Sequence, residues 1–149
     1  MKNRKLTALF AVMILALAGC NEKEGVTFVK NPDKEGESLT PPAWAAIARS
    51  DIQSGLAMSL FSATCKLLYR DELWFVGCRP KKEEASFMLY SIRQDKASNE
   101  SSVVTALNDQ AKQYAHQNLM LRQIIIADTQ HAAPHPERLK QDFEAQSGI

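Results

Sequence analysis

The sequence predicts an α+β domain, one small antiparallel sheet with its helices packed on one face. Three observations predict it. Apolar residues recur at helical spacing over residues 41–54 and 101–117, strand-like alternation runs through 56–95, and an isoleucine-rich run occupies 119–127. The alternating stretch has the length of a three-stranded meander, and 119–127 supplies a fourth strand.

Thr40-Pro41-Pro42 marks the first helix start, because a Thr hydroxyl accepts from orphan first-turn amides and Pro at the first helical position forfeits no hydrogen bond. Trp44, Ile47, Ala48 and Ile52 share one face, and Gly55 is placed to end the helix. From Leu56 the pattern turns to β. A hairpin with Asp71 and Glu72 at its tip sets Cys65 opposite Cys78, Leu67 opposite Val76 and Tyr69 opposite Trp74, all on one face. Counted outward from a two-residue turn, the cysteines fall on a non-hydrogen-bonded pair, where side chains stand closest. Asp-Glu is not a favoured pair for such a turn.

Lys81-Lys82-Glu83-Glu84 is a charged connection, and Phe87 to Ile92 is a third antiparallel strand that ends near Asp95. Ser98 to Ser102 offers N-cap residues for a helix over 101–117, on which Val103, Leu107, Ala111 and Tyr114 share a face. Leu119 to Ala127 reads as a buried last strand. Residues 129–149 are polar, carry Pro134 and Pro136, and read as a solvated tail with a short helix near Glu137 to Gln146.

The chain opens MKNRKLTALFAVMILALAGC, with Lys2, Arg4 and Lys5 ahead of an apolar run from Leu6 to Ala18. That run is shorter than the about 20 residues a spanning helix needs, and it has the grammar of a secretory signal. Leu17-Ala18-Gly19-Cys20 resembles the lipobox of bacterial lipoproteins. The resemblance covers residues 1–20 and implies removal of a signal peptide, 1–19, with diacylglycerol on the Cys20 sulfur and a fatty acid such as palmitate on the new amine. Asn21, standing where Asp would favour the inner membrane, implies the outer membrane, facing the periplasm. Residues 20–40 then form a charged, flexible tether, and 41–128 the single domain. With Cys20 carrying lipid in an oxidising compartment, Cys65 and Cys78 are left to form a disulfide.

Without the signal, about 130 residues remain with a net charge of about −2, which disfavours nucleic acid as a partner. Neither repeats nor heptads appear. Gly-x-Ser-x-Gly, Ser-x-x-Lys, His-Glu-x-x-His and phosphate-cradling glycine loops are missing, so the reading is non-enzymatic and no cofactor is expected. His131 and His135 have a metal-site spacing, with Asp128 and Glu137 nearby, but two prolines favour a solvated tail over an ordered zinc frame. Lys66, Arg70, Phe75 and Arg79 fall on the hairpin face opposite the disulfide and form a candidate binding surface for an acidic partner. A membrane-anchored binding or scaffold module for another envelope protein follows: an accessory of a secretion or conjugation apparatus, an exclusion factor or an enzyme inhibitor. The alternative is an envelope hydrolase acting on peptidoglycan or another polymer, which requires a cleft with close carboxylates.

Overall fold

The computed structural model describes residues 28–58, 62–82, 86–99, 101–127 and 133–146. In chain order it contains β1 (Val29–Lys30), β2 (Ser38–Leu39), α1 (Ala43–Met58), β3 (Ala63–Arg70), β4 (Leu73–Pro80), β5 (Met88–Gln94) and β6 (Ser102–Ala106). There follow α2 (Asp109–Gln117), α3 (Leu119–Ile124), β7 (Ile125–Ile126) and α4 (Pro136–Ala145). β1 and β2 form a separate antiparallel ribbon, and the other five strands form one sheet in the order β3-β4-β5-β6-β7. The class is α+β, and the sheet is mixed, because β7 runs parallel to β6.

The β3–β4 hairpin has the register read from the sequence, with Cys65 opposite Cys78, Leu67 opposite Val76 and Tyr69 opposite Trp74. Cys65 and Cys78 form a disulfide across Cα atoms 4.1 Å apart, the close approach of a non-hydrogen-bonded pair. Asp71 and Glu72 take φ of 51° and 61°, the left-handed conformation that a tight two-residue turn demands of both positions. The turn is held from outside: the Asp71 N–H donates to Asp33 Oδ2 at 2.9 Å.

Two expected elements are otherwise. Residues 101–117 are not one helix, because Val103, Val104 and Thr105 pair with β5 and the helix begins only at Asp109. Asn108 makes the boundary. Its Oδ1 accepts from Ala111 N at 3.1 Å as an N-cap and from Leu89 N at 3.1 Å, while its Nδ2 donates to Phe87 O at 2.6 Å. Likewise 119–127 is mostly helix, since Asn118 Oδ1 accepts from Met120 N at 2.9 Å and Leu121 N at 3.2 Å. Only Ile125 and Ile126 reach the sheet.

The first helix runs through Gly55 to Met58 instead of stopping near 54. Gly55 serves a close approach, because a Cβ there would lie 2.6 Å from Leu121 Cδ2 of α3. Asn118 Nδ2 ties the same crossing by donating to Gly55 O at 2.8 Å.

The disulfide face of the sheet carries Leu67, Val76, Met88, Tyr90, Ile92 and Val104, which pack with Ile52 and Leu56 of α1, Ala111 and Ala115 of α2 and Leu121 of α3. Val29 of β1 joins this core at 1% exposure, so part of the expected tether is built into the domain. The opposite face is covered by α4, whose Leu139 and Phe143 pack with Leu68, Phe75, Phe87, Leu89 and Leu107. Gly77 lets α4 sit close: a Cβ there would lie 2.9 Å from Phe87 and 3.0 Å from Phe143. The helices therefore lie on both faces, and residues 136–145 are a packed layer, not a solvated tail.

Tyr90 is wholly buried, and its hydroxyl has no hydrogen-bond partner among the described residues. Burial, reinforced by Tyr114, pushes its phenol above the ordinary value. Tyr90→Phe is expected to stabilise the fold by about 1 kcal/mol, the cost of an unsatisfied buried hydroxyl. The folded protein keeps this proton where the unfolded chain releases it. Stability is thus fully present below about pH 10 and falls above it by up to about 1.4 kcal/mol per pH unit, a loss the Phe variant lacks. Urea unfolding of both proteins at pH 8 and pH 11 checks this, and a less stable Phe variant would contradict it.

Candidate functional site

The four residues expected to present a binding surface do share the sheet face opposite the disulfide, but α4 lies on them. Arg70 donates from Nε and Nη2 to the two carboxylate oxygens of Asp142, both at 2.8 Å. Arg79 Nη2 donates to Glu144 Oε1 at 2.7 Å. Between these pairs Phe143 inserts its ring, with Lys66 Nζ at 4.9 Å and Arg79 Cζ at 5.3 Å from its centroid. Phe75 lies beneath at 2% exposure. What looked like an open basic surface is the seat of α4, and Asp142, Phe143 and Glu144 are the residues that linear reading missed.

Arg70 joins three segments. Besides Asp142 of α4, its Nη1 lies 3.7 Å from Asp33 Oδ1, in the turn of the β1–β2 ribbon, and Asp33 in turn holds the hairpin tip. Beside this node is a groove of about 650 Å³ lined by Asn31, Glu35, Glu37, Asp142 and Gln146. Gly36, at φ 80°, allows the ribbon to turn at its rim. The groove's carboxylates are largely engaged: Asp142 with Arg70, and Glu37 with the Asn31 side chain and, at 3.9 Å, with Lys34.

A second groove, of about 310 Å³, lies where α4 leaves the same sheet face uncovered, and Leu73, Arg93, Thr105, Leu107, Ile126 and Pro134 line it. Leu73 and Ile126 are 49% and 47% exposed there. Leu73, Leu107, Ile126 and Pro134 make this rim largely apolar, and Arg93 adds one cation.

Cys20 and His131 lie outside the described residues. His135 takes the N-cap position of α4 with φ 49°, and its Nε2 lies 4.0 Å from Asp71 Oδ2. Among the described residues no group of three or more His, Cys, Asp or Glu side chains is placed to hold a metal ion. No described helix is long and apolar enough to cross a membrane. No family model, no curated protein and no solved structure matches the chain.

Proposed function

We propose that the protein is a bacterial envelope lipoprotein, anchored through Cys20 and facing the periplasm from the outer membrane, that acts as a non-enzymatic binding or scaffold module for another envelope protein. The observation that carries this reading is the closed pair Cys65–Cys78, a bond of oxidising compartments, which leaves Cys20 of the Leu-Ala-Gly-Cys sequence as the one remaining thiol. Lipid at that position confines the domain to a membrane surface and raises its effective concentration toward a partner there. The half-uncovered sheet face, with Leu73 and Ile126 at its rim, supports a protein partner. Hydrolysis is the weaker reading, since the wide groove's Asp142 and Glu37 already hold Arg70, Asn31 and Lys34.

Affinity capture from detergent-solubilised envelopes tests this reading. A specific envelope protein is expected with the wild type, and Cys20→Ala is expected to release the domain from the membrane fraction. Failure to capture any partner across several growth conditions, or release of soluble fragments from peptidoglycan by the purified protein, would contradict it.

A further inference from the structure

Strand β3 forms one edge of the sheet, and the β1–β2 ribbon stands beside it without joining it. Between them runs a groove of about 340 Å³ lined by Phe28, Lys30, Arg49, Cys65, Lys66 and Leu67. Arg49 reaches it because α1 is fastened to that edge one turn further on, where Gln53 Oε1 accepts from Cys65 N at 3.3 Å. Among the described residues of the lining there is no carboxylate, and its cations are Lys30, Arg49 and Lys66, the last turned toward the Phe143 ring. Among the described residues neither Lys30 nor Arg49 has an ion-pair partner, whereas Asp33, Glu37, Asp142 and Glu144 nearby are each already engaged. Phe28, at the mouth, is 62% exposed.

The position of this face in the chain says what it meets. Phe28 follows Cys20 by eight residues, a span of at most about 28 Å fully extended and roughly 16 Å as a flexible coil. A domain tethered so closely keeps this groove within reach of the headgroup layer, and exposed aromatic and cationic side chains suit that layer. We propose that Phe28, Lys30 and Arg49 along this groove dock the domain on anionic phospholipid headgroups, fixing its orientation on the bilayer. The remaining faces, including the Leu73–Ile126 rim, are then held outward. This docking rests on the anchoring of Cys20 argued above.

The test uses the full lipidated chain, detergent-extracted and inserted into phosphatidylethanolamine vesicles with or without phosphatidylglycerol. Mass spectrometry first confirms lipid on Cys20, and reductive methylation then reports the exposure of each lysine. Lys30 is expected to react roughly fivefold more slowly in the anionic vesicles, with Lys112 and Lys140 unchanged and the protection lost at high salt. Arg49→Glu is expected to abolish the protection while leaving the lipid and the circular dichroism intact. Equal labelling of Lys30 in both vesicles would overturn the docking and leave the anchor standing. Equal protection by inorganic phosphate without anionic lipid would also overturn it, as would protection in intact envelopes alone, which would assign the groove to an acidic protein. A chain without lipid on Cys20 would bring down the anchor and the docking together.

Discussion

Replacing Phe143 with alanine is expected to cost the domain about 3–5 kcal/mol, a large share of the stability of a chain this size. The ring is 2% exposed, lies 5.3 Å from the Phe87 ring, and is approached by Lys66 and Arg79. Its removal leaves a cavity and also loosens the hold of a ten-residue helix, which has little stability apart from its packing. Once α4 lifts, Leu68, Phe75 and Leu89 on the sheet face become wet. Urea unfolding gives the energy, and hydrogen exchange at the α4 amides shows whether the helix detaches. A cost below about 1 kcal/mol would mean that α4 does not hold the sheet.

The second large effect concerns the staple. Opening the disulfide by Cys65→Ala with Cys78→Ala is expected to cost about 3 kcal/mol, from the entropy regained by a loop of this length in the unfolded chain. The cysteines are buried at 4% and 0% exposure, so the two alanines also leave unfilled space among Leu67, Val76 and Met88. Denaturation midpoints with and without reductant, and for the double variant, measure this. Equal midpoints would contradict a structural role.

The hairpin was legible because three independent signals, alternation, cysteine spacing and a charged two-residue tip, specify one register. The rest of the sheet lacked that redundancy. Val103, Leu107 and Ala111 fall at helical spacing by coincidence, and the deciding signal, Asn108 before Asp109, is a helix cap in the middle of the presumed helix. Asn118 was the same signal before Leu119, hidden by the strand-like Ile124-Ile125-Ile126. In α4 two apolar residues four apart, Leu139 and Phe143, suffice to bury one side of an otherwise polar helix, and Pro134 and Pro136 give the segment the composition of a solvated tail. The cover over the basic face is invisible for a different reason. Arg70 finds Asp142 at a sequence separation of 72, and Arg79 finds Glu144 at 65, contacts that no local pattern announces. The groove beside β3 gathers Phe28 from ahead of β1, Arg49 from α1 and Lys66 from β3, and leaves no linear trace.

How the three sulfurs are used decides whether the domain is lipid-anchored and stapled, and the intact mass of the protein purified from bacterial membranes measures it directly. The expected species begins at Cys20, carries diacylglycerol and an amide-linked fatty acid, and is two hydrogens lighter than its fully reduced form. A chain with an unmodified amino terminus, or one whose Cys65 and Cys78 alkylate freely without reduction, would contradict it.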